Sequence, residues 1–93
     1  MKNRLLVRNL PPSVTVGELN AFFAGLGHAV EEIDLGPNEK WRLPRGYATV
    51  TLSHASDTRK AIHDTDGREF EGRTLLVEGA RPLKSRHRSE RAA

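Results

Sequence analysis

Arg45-Gly46-Tyr47-Ala48-Thr49-Val50-Thr51-Leu52 is the stretch on which the fold of this chain turns. Side chains along a strand alternate between its two faces. Gly46, Ala48, Val50 and Leu52 therefore fall on one side, a small-to-medium apolar set suited to lying beneath helices. Arg45, Tyr47, Thr49 and Thr51 fall on the other, so this is a strand with one dry face and one that meets solvent or a ligand.

Working outward, Leu5-Leu6-Val7-Arg8-Asn9-Leu10 reads as a first strand closed by Pro11-Pro12. Thr15 and Glu18 form a capping box, and Leu19, Phe22, Phe23 and Leu26 then recur at helical spacing until Gly25 and Gly27 end the helix. Val30 to Leu35 makes a second strand, and Gly36-Pro37-Asn38 begins a polar loop running to Pro44. After the central strand, Thr58, Ala61, Ile62 and Thr65 give Ser56 to Thr65 a weak helical stripe, with serines of residues 53–56 as its expected cap. Turns at Asp66-Gly67 and Glu71-Gly72 lead to a fourth strand over Thr74 to Glu78. The order βαββαβ predicts an α+β, ferredoxin-like sandwich, a four-stranded antiparallel sheet carrying both helices on one face.

The same alternation turns Leu5, Val7, Leu75 and Val77 inward and Arg4, Leu6, Arg8, Thr74, Leu76 and Glu78 outward. The helix-free face thus collects an apolar spot of Leu6, Tyr47 and Leu76 rimmed by Arg4, Arg8 and Arg45. Guanidinium groups beside an aromatic ring suit a single-stranded nucleic acid, whose bases stack while its phosphates pair with the cations.

Composition narrows the alternatives. Ninety-three residues without cysteine make one small domain, with no disulfide, thiolate nucleophile or cysteine-ligated zinc. No apolar run approaches the roughly 18–20 residues of a membrane span, and the N-terminus lacks a signal-peptide pattern. The expectation is a soluble cytoplasmic protein, or a nuclear one if eukaryotic, with no membrane contact. The net charge of +3 is unevenly placed: residues 81–93 carry five basic groups against Glu90, a net +4, while residues 1–80 carry ten basic and eleven acidic. A basic tail on a nearly neutral body points to a polyanion.

The residues argue against catalysis. His28, His54, His63 and His87 show no metal-ligand spacing and read as surface or cap residues. Glu31 and Glu32 fall on opposite faces, Asp64 and Asp66 read as turn formers at a helix end, and Ser13, Ser53 and Ser56 lack a base. No glycine run cradles phosphate, and Leu10-Pro11-Pro12-Ser13 stands where acylphosphatase, which shares the plan, has its catalytic loop. A non-enzyme without cofactor or metal is expected.

At this point the chain resembles a known family. Residues 45–52 resemble the eight-residue signature of the RNA recognition motif family, and Leu5 to Leu10 its six-residue signature on the first strand. Gly67, Gly72-Arg73 and Leu75-x-Val77-x-x-Ala80 match the family's passage into its fourth strand. The resemblance implies a motif domain over residues 1–82 and a basic tail over 83–93. It also implies single-stranded RNA, or single-stranded DNA, as partner of a monomer. Of the three aromatics the family presents, only Tyr47 is present; Leu6 and Thr49 occupy the other places. The resemblance therefore implies a degenerate platform: Tyr47 stacking one base, Leu6 and Thr49 in contact without stacking, Arg8 and Arg45 on phosphates. Trp41 and Arg42 of the long loop, and Arg81 and Lys84 of the tail, complete the candidate set. Alternatively, the tail folds over the sheet with Leu83 covering Leu6 and Leu76. The runner-up reading is protein recognition through Arg68-Glu69-Phe70 and the first helix, as in relatives that have lost RNA binding. Against it, that helix offers only Glu18, and Phe70 reads as a core plug.

The charge asymmetry yields a test. For single strands each neutralised phosphate adds about 0.7 to the slope of log affinity against log salt. Truncation after Pro82 removes four of the tail's five basic groups. The slope should fall by about 2–3 on a salt titration with one RNA. Tighter binding by the truncated chain would instead show a tail that covers the sheet.

Overall fold

The computed structural model describes residues 3–37 and 43–80. Trp41, Arg42, Arg81 and Lys84 therefore lie outside the described residues, as does the proposed boundary at residue 82. Strand β1 (Arg4–Arg8) leads to helix α1 (Val16–Gly25), strand β2 (Val30–Leu35) and strand β3 (Ala48–Leu52). A 3-10 turn (Ala55–Asp57) opens helix α2 (Thr58–Thr65), and a short hairpin of β4 (Glu69–Phe70) and β5 (Arg73–Thr74) precedes β6 (Leu76–Gly79). The main sheet is four-stranded and antiparallel in the order β2-β3-β1-β6, the expected ferredoxin-like plan.

Burial follows the alternation read from the sequence. Leu5, Val7, Ala48, Val50, Leu52 and Leu75 are all shut away from solvent beneath Leu19 and Phe23 of α1 and Ala61 of α2. Burying each large apolar side chain is worth about 1.5–3 kcal/mol, so this layer dominates the stability. Phe70 is buried as a plug, its ring edge-on to Phe22 with centroids 5.1 Å apart.

Helix α1 is bounded as its sequence dictates. The Thr15 hydroxyl accepts from the Glu18 amide at 3.1 Å, and the Glu18 carboxylate accepts from the Thr15 amide at 3.0 Å. At the other end Gly27 takes φ 88°, and the amides of Gly27 and His28 donate to Ala24 and Phe23, closing the last turn as a Schellman motif.

Three boundaries differ from expectation. Pairing of β3 begins at Ala48 rather than Arg45, because Arg45 and Gly46 form a turn whose Gly46 has φ 87°. Thr74 belongs to the small hairpin, and the strand beside β1 starts at Leu76; Leu75 instead bonds back to Gly67 and Arg68. Helix α2 proper starts at Thr58, and no serine caps it: neither His54 before the 3-10 turn nor Asp57 at the helix start makes a side-chain capping bond.

His28 and Asp64 also depart from their expected roles as surface and turn residues. His28 is 3% exposed, delivered by the α1 terminus to α2, where its Nε2 lies 2.8 Å from Asp64 Oδ2. Lys60 Nζ stands 3.6 Å from the same carboxylate oxygen. The hydrogen bond from His28 holds the Asp64 carboxyl below its ordinary 3.8, helped by the charges of Lys60, His28 and His63 and opposed by partial burial. A carboxylate with a depressed folded-state value contributes stability that is full above its unfolded value and lost as pH falls through the folded one. Urea midpoints between pH 2 and pH 7 should show this loss below pH 4 in the wild type. Asp64→Asn should be less stable at neutral pH and have a flatter acid limb; identical limbs would remove the pair from the account.

Candidate nucleic-acid interface

Strand register arranges the helix-free face in rows. Pairing of Leu6 with Thr49 and Glu78, and of Thr49 with Asp34, makes a central row running from Asp34 on one edge to Glu78 on the other. The row toward the β1 N-terminus holds Glu32, Thr51 and Arg4. Toward the β1 C-terminus, Arg8 lies opposite Leu76, with Tyr47 in the segment that enters β3.

These rows are not equally open. Arg4, expected on the rim, is 7% exposed, its Nε donating to Thr51 Oγ1 at 3.4 Å. Thr49 is 3% exposed, and the hydroxyl expected to touch a ligand is shut from solvent. Leu6 is half-buried. The accessible surface lies at the other end: Leu76 is 44% exposed, Tyr47 half-buried, and the Arg8 side chain 38% exposed with Glu78 Oε2 4.0 Å from its Nη2.

There the chain folds around a cleft of about 480 Å³ whose lining includes Arg8, Arg45, Tyr47 and Leu76. The turn before β3 builds it. The Leu10 amide donates to Gly46 at 3.0 Å, the Gly36 amide to Tyr47 at 2.8 Å and the Tyr47 amide to Pro44 at 3.2 Å. These bonds lock Arg45 and Tyr47 beside the end of β1. A Cβ on Gly36 would overlap the Pro44 carbonyl, so the close approach of the two segments needs glycine there.

The cleft also contains Arg73, a residue the strand-face reading did not single out. It stands on the β4–β5 hairpin, and its Nη1 donates to Asn9 Oδ1 at 3.2 Å. Asn9, at φ 70° just past β1, in turn donates through Nδ2 to the Thr74 carbonyl at 2.9 Å. The available signal was Arg73 following Gly72 directly, but only the hairpin brings it beside Asn9. By contrast, the Arg68-Glu69-Phe70 turn does not offer its ring to a partner, because Phe70 is packed into the core. Among the described residues no cluster of histidine and carboxylates could hold a metal ion, and no helix is long and apolar enough to cross a membrane.

A sheet of this topology with an aromatic and arginines at one end of its open face defines a class of domain. The model of the RNA recognition motif family matches residues 5–76, and the chain belongs to that family. Protein RbpA of Nostoc sp. (strain PCC 7120) is 34% identical over 82 residues, 88% of this chain and 79% of that protein. The chloroplastic 33 kDa ribonucleoprotein of Nicotiana sylvestris is 35% identical over 74 residues, covering 80% of this chain but only 22% of its own length. Among solved structures, the Sxl-lethal protein/RNA complex superposes with a TM-score of 0.72 at 30% identity, covering 86% of this chain and 47% of that one.

The turn that aims Tyr47 depends on the positive φ of Gly46. A side chain in that conformation costs about 1–2 kcal/mol. Gly46→Ala should lower the unfolding free energy in urea by about that amount, whereas unchanged stability would mean that the turn relaxes without strain.

Proposed function

We propose that this chain binds single-stranded RNA at the Tyr47 end of its helix-free face, as a binding module and not an enzyme. The observation that carries this reading is the convergence of Tyr47, Arg8 and Arg45 on one open cleft in a chain of the RNA recognition motif family. A base stacks on the Tyr47 ring against Leu76, and Arg8 and Arg45 hold the flanking phosphates. Leu6 supplies apolar contact at the inner margin. Thr49, 3% exposed, contributes little direct contact. Trp41 and Arg42 of the loop, and Arg81 and Lys84 of the tail, extend the contact in this proposal. The match to a structure solved as a protein/RNA complex supports the choice of ligand.

With Leu6 and Thr49 in place of aromatics, the face offers one stacking platform among the described residues, Tyr47. Base–aromatic stacking is worth about 1–3 kcal/mol per base. Tyr47→Ala should therefore weaken binding of a short single-stranded RNA about 5- to 150-fold by fluorescence anisotropy, with the circular dichroism spectrum unchanged. An unaltered dissociation constant in a folded variant would remove the sheet face from the binding model. Protein recognition through α1 remains the competing outcome: amide shifts on RNA addition should fall on the sheet, and shifts confined to the helices would favour it.

A further inference from the structure

We infer that Arg73, on the β4–β5 hairpin and outside the main sheet, is a phosphate-binding residue of the cleft. With Arg8 and Arg45 it would form a three-arginine cradle for the phosphodiester backbone of a single strand. This rests on the proposed RNA-binding reading and adds to it a contact that no strand of the main sheet supplies.

Three observations converge. Arg8, Arg45 and Arg73 line the same cleft, although they come from β1, the turn before β3 and the hairpin. Like charges gathered around one concavity repel each other, and an anion in the cleft relieves that repulsion. Counter-ions within the protein are scarce. Among the described residues Arg8 has only Glu78, at 4.0 Å and exposed, while Arg45 and Arg73 have no carboxylate within ion-pair distance. Lys60, elsewhere on the surface, is by contrast paired with Asp64.

Arg73 is also held in place. Its Nη1 is tied to Asn9 Oδ1, and Asn9 is fixed through its own amide to the Thr74 carbonyl, so the two hydrogen bonds brace the hairpin against the end of β1. Asn9 Oδ1 takes up one of the five guanidinium N–H groups and leaves the others for a phosphate oxygen. A pre-positioned arginine loses less rotamer freedom on binding than a free surface one. Of the acidic residues on the sheet face only Glu78 stands near the cleft, beside Arg8, while Glu32 and Asp34 lie on the far β2 edge. A strand entering the cleft thus meets three arginines against the single carboxylate of Glu78, with the other carboxylates of the face across the sheet.

The test is a salt titration of the full chain with a fluorescently labelled, randomised octanucleotide RNA, comparing wild type, Arg73→Gln, Arg73→Lys and, as control, Arg59→Ala on α2. Glutamine keeps a donor for Asn9 but no charge. Arg73→Gln should bind about three- to tenfold more weakly at about 0.1 M salt. Its log–log salt slope should be lower by about 0.7, one phosphate. Arg73→Lys should keep the wild-type slope, and Arg59→Ala should match wild type. If Arg73→Gln binds like wild type, or loses no more than Arg59→Ala, the cradle is wrong while the RNA reading stands. If wild type itself fails to bind, the RNA reading falls and this inference with it.

Discussion

Everything on both faces of this protein depends on the antiparallel pairing of β1 with β3. Leu5 opposite Val50 and Val7 opposite Ala48 put four apolar side chains under the helices, and the same register sends Leu6 to the face where Thr49 and Glu78 also lie. A slip of one residue would exchange the two faces, exposing the apolar layer and burying arginines. The register is pinned at one end by the Leu10 amide on the Gly46 carbonyl and at the other by Leu52 donating to Asn3. The turn that pins it also carries Tyr47, so the constraint that secures the core also aims that ring on the open face.

Helices on the other side act as weights on that pair. The α1 terminus hands His28 to Asp64 of α2, a polar tie between two helices that otherwise meet the sheet through separate apolar residues. Gly27 makes this possible by reversing the chain in a left-handed conformation, after which His28 is carried inward. A histidine is thereby shut from solvent. The nearby hairpin uses comparable economy: Phe70 fills the gap beside Phe22, and after a two-residue turn the chain returns with Arg73 on the outside.

The open face is electrically graded and not uniformly basic. Carboxylates of Glu32 and Asp34 mark the β2 edge, Glu78 the β6 edge, and arginines gather where β1 ends. A polyanion is attracted to one end of such a surface and repelled from another, so the gradient orients a strand even where base contacts are few. With Leu6 and Thr49 where the family presents rings, the proposed binding would concentrate stacking on Tyr47 and leave a larger share to phosphate contacts.

Alternation of side chains over residues 4–8 and 45–52, the capping box at Thr15 and the glycines after α1 were sufficient to read the element order, the core layer and Tyr47 with Arg8 and Arg45. These features are local, with periods of two or about 3.6 residues, and local physics is written along the chain. What a residue on the outer face becomes is not local. Arg4 and Thr49 have the right parity for exposure, yet both are buried, because exposure depends on neighbours from β1, β2 and β3 that meet only across strands. His28 and Asp64 are 36 residues apart and Arg73 and Asn9 are 64 apart, so neither pair has a sequence signature. Which face of the sheet is dry, and that Tyr47 lies on the opposite one, is written in the alternation along β1 and the residues entering β3. Which arginines share a cleft is not, because that follows from where a short hairpin, closed by a two-residue turn, comes to rest against the end of β1.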